Sequence, residues 1–397
     1  MTLSTGQRAA VERSGQDVCV VAGPGSGKTR VLVSRFCWLV SQGVSPVRIL
    51  AITFTEKAAT EIKGRIVAQF SQDAHLRAQV ERAYVSTVHG FCARLLKENA
   101  IRAGVDPDFA ILDERTALYE LSLAAGEALD EYYRLDPAGF RRLVSGLNAF
   151  DITPCLLEVY EARRACPSLD IEPVDTITYA AFLRRAKTIL DQSTRGWTPR
   201  QAEAWRQILS WLERLQTLES NGDRLNRFRL IAECNFNLNQ VKAGPARDAI
   251  REIKNDLLPQ LKSALISEYY SSEHQSLERI LQRLDEIYRR RKRVRSTLDF
   301  ADLEEQAIRL LKEDERVRQN TANLFDAVLM DELQDTNPLQ WELMDLVRRR
   351  YRFFAVGDIN QSIYGFRHAE PAVFARYRDN IRAQGAMVDE LRENHRS

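Results

Sequence analysis

A glycine-rich turn between a predicted strand and a predicted helix is the feature that most constrains how this chain folds. The turn spans Ala22–Gly27, with the sequence AGPGSG, and Lys28 and Thr29 follow it directly. The residues before it, Asp17–Val21, form a short apolar run rich in β-branched side chains, which is typical of a buried strand. The residues after it, Arg30–Leu39, can form a helix. A strand, a glycine-rich turn, Gly-Lys-Thr and a helix in this order predict a phosphate-binding loop.

Each part of this loop suits a nucleoside triphosphate. Gly25 and Gly27 lack side chains, so the backbone can curve with its N–H groups towards a phosphate. The helix that begins there adds the positive end of its dipole. Lys28 can reach the β- and γ-phosphates, and the Thr29 hydroxyl can coordinate Mg²⁺. The alternative is a chance glycine turn, since Ala22 replaces the first glycine of the general pattern.

Composition narrows the class of protein without identifying a site. A chain of 397 residues with 44% hydrophobic residues can form two or more domains with real cores. Its net charge of +2 means that a nucleic-acid ligand would contact a local patch. The six cysteines include no CxxC pair, which favours reduced thiols of a cytosolic protein over a zinc or disulfide framework. With no long apolar run or apolar leader, we expect a soluble, cytoplasmic protein with no membrane partner.

Predicted strands and helices alternate over residues 1–115. The strands are Val18–Val21, Ile49–Phe54 and Tyr84–Val88, and the helices are Thr29–Val40, Glu56–Phe70 and Phe91–Arg102. Apolar strands separated by helices predict an α/β fold with a parallel sheet that is covered on both faces. Strand signals return at Phe325–Met330 and Arg352–Val356. Both late strands end in acidic residues, as expected at the carboxyl edge of such a sheet.

The intervening residues have a different character. They show helical periodicity and few strand signals, and residues 278–295 predict one long amphipathic helix. We therefore expect one core domain, residues 1–115 plus 297–397, interrupted by a mostly helical inserted domain at residues 116–296. The inserted helix ends in the basic run Arg289–Arg295. This run can contact phosphates, or it can simply place cations at the negative end of a solvated helix.

The acidic ends of the late strands carry the second half of the predicted chemistry. Asp331 is the natural partner for the Mg²⁺ held by Thr29, because a hard cation prefers oxygen ligands. Glu332 is then placed to deprotonate an attacking water. A solvated acidic strand end is the usual interpretation of a lone Asp-Glu pair, but a phosphate-binding loop in the same chain weighs against it.

Three other segments offer polar or aromatic side chains near strand ends. Gln361 can sense a γ-phosphate through a hydrogen bond. The remaining candidates suit unpaired bases or a phosphate backbone, because aromatic rings stack on bases and hydroxyls or cations bind phosphates. Burial in the core is the alternative for the aromatic rings, and a structural role is the alternative for the histidine. The candidate DNA contacts are Thr53, Phe54, Thr55, His89, Tyr364, Phe366 and Arg367.

The motifs in chain order are similar to those of the N-terminal part of a superfamily 1 DNA helicase of the UvrD/PcrA/Rep type. The matching segments are Leu3–Ala10, Ala22–Thr29, Thr53–Ala59, Ser86–Phe91, Leu298–Leu303, Asp331–Asn337, Val356–Arg367 and Leu391–Ser397. The resemblance implies a RecA-like P-loop sheet that uses ATP and Mg²⁺. It also implies that Gln7 reads adenine and that Arg396 contacts the γ-phosphate. His395 stands where many relatives have a tyrosine that stacks on adenine.

The resemblance and the loop chemistry together define the expected nucleotide site. Catalytic roles fall to Lys28, Glu332, Gln361 and Arg396. Metal ligation falls to Thr29 and Asp331. The expected ATP contacts are Gln7, Ala22, Gly23, Pro24, Gly25, Ser26, Gly27, Lys28, Thr29, Arg30 and His395.

The resemblance implies an ATP-dependent 3′-to-5′ translocase or helicase on single-stranded DNA, working in DNA repair or recombination. The long insert and Leu298–Glu304 are also similar to AddA/RecB-type helicase–nucleases, which implies that the partner is a second helicase–nuclease subunit. The alternative is a module that binds nucleotide and single-stranded DNA with little turnover, because these residues show no second RecA-like domain. A GTPase is less expected, since no Asn-Lys-x-Asp motif occurs. The sequence leaves open whether Ser397 is the natural end.

Overall fold

The computed structural model describes residues 3–147, 151–166, 178–192, 199–220, 226, 229–231, 245–358 and 371–391. The chain divides into two compact units. The first comprises Met1–Glu127, Thr153–Leu169 and Leu284–Ser397, and the second comprises Ala128–Ile152 and Asp170–Arg283. The predicted domain bounds at 115 and 297 stay a prediction.

A six-stranded parallel sheet forms the centre of the first unit, in the order β3-β2-β6-β7-β1-β8. Its predicted parallel character is confirmed. Two short strands, β4 and β5, pair with each other in a separate parallel ladder. The strands are β1 Val18–Ala22, β2 Ile49–Thr53, β3 Tyr84–Thr87, β4 Ala110–Ile111, β5 Thr297–Leu298, β6 Ala327–Met330, β7 Phe353–Gly357 and β8 Val388–Leu391.

Both faces of the sheet are buried, because successive side chains of each strand enter different hydrophobic clusters. Val18 and Val20 of β1 belong to one cluster, and Cys19 between them belongs to the other. Strand β7 repeats the alternation, with Phe353 and Phe354 in opposite clusters. A parallel sheet covered on both faces gives near-continuous apolar strands, which is why the sequence predicted these strands well.

Helices connect the strands and supply the cover. Two of them, α7 and α14, contain residues of both units. The helices are α1 Thr5–Glu12, α2 Lys28–Ser41, α3 Glu56–Gln69, α4 Ala74–Glu81, α5 Val88–Glu98, α6 Ala100–Ala103, α7 Glu114–Leu135, α8 Pro137–Leu147, α9 Thr153–Ala165, α10 Tyr179–Gln192, α11 Pro199–Ser220, α12 Pro245–Glu252, α13 Leu258–Tyr269, α14 Ser271–Val294, α15 Phe300–Glu313, α16 Glu315–Leu324, α17 Pro338–Val347 and α18 Pro371–Ala383.

The third strand ends one residue earlier than predicted. The Thr87 hydroxyl accepts a hydrogen bond from the Gly90 backbone N–H at 3.0 Å, so Thr87 caps α5 and the helix begins at Val88. His89 therefore lies in the first turn of a helix, although the sequence placed it at a strand end. The predicted helix Phe91–Arg102 is also divided, because α5 ends at Glu98 and α6 follows.

The second unit has a core of its own, built from helical residues such as Phe182, Trp211 and Leu261. The Trp211 indole N–H donates to the Leu230 carbonyl at 3.1 Å, which satisfies its polar atom inside this apolar cluster. Across both units, no helix in the described part of the chain is long and apolar enough to cross a membrane.

Candidate functional site

The carboxyl ends of the parallel strands bring distant segments of the first unit together. Strand β1 ends at Ala22 and leads into the glycine-rich loop, while β6 ends at Met330 and leads into Asp331 and Glu332. The Lys28 ammonium lies 2.7 Å from a carboxylate oxygen of Glu332. The Lys28 side chain is only 12% exposed, so solvent screens this ion pair weakly. The two motifs therefore meet at one edge of the sheet.

The glycine-rich loop is held in place by a side chain of α1. The buried Gln7 amide donates to the Ser26 carbonyl at 2.8 Å, and the Ser26 hydroxyl donates to the Gly23 carbonyl at 2.7 Å. Gly27 adopts a left-handed φ of 83°, and a Cβ there would lie 3.1 Å from the Gln7 amide nitrogen. Gln7, which the resemblance assigned to adenine, packs here against the backbone of the loop.

The loop offers its N–H groups to a ligand. Helix α2 begins at Lys28 with Gly27 at the capping position, and no side chain caps its first turn in the described structure. First-turn N–H groups without intrahelical partners carry partial positive charge and bind anions. The bend at Gly27 and the open first turn are therefore suited to a phosphate group.

Asp331 gives the site an excess of negative charge. Burial raises the pKa of its carboxyl group to about 7, the charge of Glu332 raises it further in the same direction, and Lys28 opposes both. A divalent cation would stabilise the ionised carboxylate. In the described residues no group of three or more His, Cys, Asp or Glu side chains is placed to hold a metal ion. That agrees with Mg²⁺, which binds through one or two protein oxygens and the phosphates of its substrate.

Glu332 occupies an unusual backbone conformation. Its φ is 53° and its ψ 44°, which is the left-handed region that non-glycine residues seldom adopt. The same carboxylate oxygen accepts hydrogen bonds from Lys28 and, at 2.8 Å, from the side-chain amide of Gln334. Backbone strain of this kind persists only where surrounding contacts hold it, and it is common at functional sites.

Gln334 is a site residue that the sequence analysis missed. It is buried, and besides Glu332 it contacts Asp335 and the backbone N–H of Asp358. Its position within Asp331–Asn337 was a signal, but a glutamine carries no charge that marks it as functional. Only the approach of strand β7 to this loop shows what the amide does.

The described candidates for DNA contact are spread along the same edge. Thr53 is buried at the end of β2, and Phe54 is partly buried. Thr55 is exposed and caps α3 by accepting from the Ala58 N–H at 3.1 Å. Its hydroxyl therefore already has a structural task, and Phe54 and Thr55 remain near enough to the surface to meet a ligand.

His89 is held by a ring and a carboxylate. Its ring lies 4.6 Å from that of Phe300, and its Nε2 lies 2.9 Å from the buried Glu304 carboxylate. The Gln340 amide donates to the same Glu304 oxygen at 2.7 Å. The His89 side chain keeps 32% of its surface exposed. It is thus both a structural partner of Glu304 and a side chain that solvent reaches.

Six predicted site residues lie outside the described residues. They are Gln361, Tyr364, Phe366, Arg367, His395 and Arg396.

The basic run at the end of α14 is engaged in ion pairs inside the first unit. Arg290 lies 2.9 Å from Glu127, and Arg291 lies 3.0 Å from the buried Glu120, which also pairs with Arg295. Neither sequence interpretation, phosphate contact or solvated helix end, included these partners. The acids belong to α7, more than a hundred residues earlier in the chain.

One part of this run forms a buried ionic group that we call the Arg164 cluster, consisting of Arg164, Lys292, Asp299, Asp302 and Glu305. Arg164 donates to all three carboxylates at 2.6–2.9 Å, and Lys292 lies 2.7 Å from Asp299 and 2.5 Å from Asp302. The cluster joins α9, α14 and the start of α15 within the first unit.

The fold and the site together define an α/β protein whose parallel sheet gathers a glycine-rich loop and an acidic strand end at one edge. Residues 3–382 match the family described as UvrD/REP helicase N-terminal domain, so the chain belongs to that family. The resemblance derived from the motifs is confirmed.

Curated relatives share one description, that of an ATP-dependent helicase/nuclease subunit. The protein from Syntrophomonas wolfei subsp. wolfei is 30% identical over 98% of this chain and 36% of its own length. The protein from Bacillus pumilus is 28% identical over 100% of this chain and 38% of its own length. The protein from Ligilactobacillus salivarius is 26% identical over 93% of this chain and 35% of its own length. The chain thus spans just over a third of the length of these relatives.

Proposed function

We propose that this chain is the nucleotide-binding part of an ATP-dependent DNA helicase that acts in DNA repair or recombination. The observation that carries the proposal is the 2.7 Å contact between Lys28 and Glu332, two residues of separate motifs at the carboxyl edge of the sheet. Family membership and the names of the relatives support the same conclusion. The sheet would then be a RecA-like P-loop core.

In this proposal the side chains at the edge divide the work on ATP. The first-turn N–H groups of α2 and Lys28 bind the β- and γ-phosphates, and Glu332 orients and deprotonates the attacking water. Thr29 and Asp331 would hold Mg²⁺, which neutralises charge on the phosphate oxygens when bound. Gln361 and Arg396 would complete the contacts to the γ-phosphate.

Single-stranded DNA would cross the neighbouring loops. Phe54 and His89 lie at or near the ends of β2 and β3, where an aromatic ring can stack on a base and an imidazole can meet a phosphate. Tyr364, Phe366 and Arg367 belong to the same proposed path. We further propose 3′-to-5′ movement along the strand, and because each relative is named as one subunit of a helicase/nuclease, we propose a partner subunit too.

The Glu332→Gln variant of the full-length protein tests the proposal. Glutamine keeps the size of the side chain but cannot take a proton, so DNA-stimulated ATP hydrolysis should fall by about 10²–10⁴-fold, the range for loss of a general base. Binding of a fluorescent ATP analogue should persist. Glu342→Gln is a matched control, because Glu342 pairs with Lys312 away from this edge. Hydrolysis at a near wild-type rate in Glu332→Gln would contradict the assignment of the base.

A further inference from the structure

Gln334 joins two strand ends of the sheet through one side-chain amide. The residue is 1% exposed. Its amide nitrogen donates to Glu332 at 2.8 Å and to Asp335 at 3.1 Å, and its amide oxygen accepts from the Asp358 backbone N–H at 2.9 Å. The loop after β6 and the end of β7 are therefore linked by a single planar group.

The direction of this amide is determined by its neighbours. The nitrogen faces two carboxylates, which only accept, and the oxygen faces a backbone N–H, which only donates. A flipped amide would place its oxygen against the carboxylates of Glu332 and Asp335. All three contacts thus favour one orientation of Gln334.

Strand β7 makes room for this contact at Gly357. A Cβ built on Gly357 would lie 2.6 Å from the Gln334 amide oxygen, a distance that non-bonded carbon atoms do not tolerate. The next nearest atoms, the Leu333 nitrogen and a ring carbon of Phe374, are 3.4 Å away. The absence of a side chain at position 357 is therefore matched specifically to the side chain at position 334.

Resting on the proposed function, we propose that Gln334 is the positioning residue for Glu332 during ATP hydrolysis. Lys28 also binds this carboxylate, but a phosphate competes for the Lys28 ammonium. A neutral amide holds the carboxylate in direction without adding a second positive charge that would weaken it as a base. Because the same amide binds Asp358, the position of Glu332 is coupled to the end of β7.

The Gln334→Ala variant of the full-length protein should lose kcat for ATP and largely keep KM. Misplacing a catalytic group costs roughly 10–100-fold in rate, as for other residues that orient a reacting group. We expect KM to change by less than about threefold, because none of the hydrogen bonds described for Gln334 reaches the phosphate-binding loop. Thermal melting would check that the variant is folded.

Gly357→Ala probes the same contact from the opposite strand. In the wild-type background the new methyl group displaces the Gln334 amide, so kcat should fall. In the Gln334→Ala background the atom that the methyl group meets is gone, so the second change should have little further effect. Effects on kcat that simply multiply in the double variant would overturn the proposal.

Gln334→Glu separates orientation from folding if the alanine variant is unstable. It keeps an acceptor for the Asp358 N–H but replaces the donor facing Glu332 with a carboxylate oxygen, so kcat should fall at least as far as in Gln334→Ala. Gln340→Ala is the matched control, since this buried glutamine bonds Glu304 and caps α17. It should lower the melting temperature and leave kcat near wild type.

The outcomes distinguish the two proposals. If the wild-type protein binds and hydrolyses no ATP, the proposed function is wrong. If the wild-type protein hydrolyses ATP and folded Gln334→Ala does so at the same rate, only the positioning role is wrong.

Discussion

Two places in the first unit set a lysine beside paired carboxylates, and the surrounding charges differ. At the carboxyl edge Lys28 faces Asp331 and Glu332, and burial together with the charge of Glu332 raises the pKa of the Asp331 carboxyl to about 7. The site therefore holds more negative charge than its lysine offsets. The backbone of Glu332 is also left-handed, so both charge and conformation are strained there.

The Arg164 cluster has a second cation, and its carboxylates behave differently. Burial alone would raise the pKa of Asp299, but the charges of Arg164 and Lys292 overcome burial and hold that pKa below its usual value. Asp299 and Asp302 also form a capping box at the start of α15. A buried ionic group that satisfies itself is structural, whereas a group with unbalanced charge is prepared for a cationic ligand.

The largest expected effect comes from breaking the cluster. Arg164→Met leaves three buried or partly buried carboxylates with only Lys292, so the free energy of unfolding should fall by about 3–5 kcal/mol. Urea denaturation measures this. Arg77→Ala removes an exposed pair with Glu81 and should cost less than about 1 kcal/mol. If the two variants were equally stable, the cluster would not be the structural half of the comparison.

The edge should respond in the opposite sense. Lys28→Ala should reduce DNA-stimulated ATP hydrolysis on the order of 10²–10³-fold, as removal of one preorganised charge at a reacting group does. The unfolding free energy should change by no more than about 1 kcal/mol, because Glu332 is partly solvated. Parallel ATPase and melting measurements separate the two quantities. A destabilisation as large as that of Arg164→Met would remove the contrast.

The charge excess at the edge predicts a stabilising substitution. The folded-state pKa of Asp331, about 7, lies above its unfolded value, so the wild-type protein loses stability as pH rises towards 7. An asparagine side chain cannot ionise. In metal-free buffer at pH 8, Asp331→Asn should be more stable on the order of 2 kcal/mol, below a bound of about 4 kcal/mol from 1.36 kcal/mol per pKa unit.

This gain should shrink near pH 5, and urea denaturation in EDTA at the two pH values measures it. Asp345→Asn is the control, because Asp345 forms an exposed pair with Arg348. An equal gain at both pH values would mean that charge is not the cause.

The smallest effect tests the remaining phosphate interpretation of the basic run. Arg290 forms a largely exposed pair with Glu127, so Arg290→Ala should cost less than about 1 kcal/mol in unfolding. The salt dependence of single-stranded DNA binding should be unchanged. A loss of about one from the slope of log K against log salt would instead assign Arg290 to a phosphate.

The sheet was predictable where its strands are apolar and was missed where they are not. β1, β2, β6 and β7 are almost wholly buried, so their composition alone indicates strands. Strand β8 carries Asp389 and Glu390 within four residues and gives no such signal. It forms because it pairs with β1, and Asp389 is satisfied by Arg13 at 2.5–2.7 Å.

The candidate site divides in the same way. The glycine-rich loop and Asp331–Glu332 are recognisable because their residue types are specific to phosphate and metal chemistry. The roles assigned to them stay predictions. Gln334 and Gly357 carried no such mark, since an amide and a glycine have many uses, and their match depends on two strands lying side by side.

The amino-acid sequence by itself determined the alternation of apolar strands and helices and the two motifs with their family. Local propensity and residue chemistry are enough for that. The tertiary structure alone decided which charges are balanced. Lys28 and Lys292 are equivalent in a list of residues, but Coulomb energies depend on distance and burial. One lysine lies at a strand edge with too few cations, and the other lies between helices with enough.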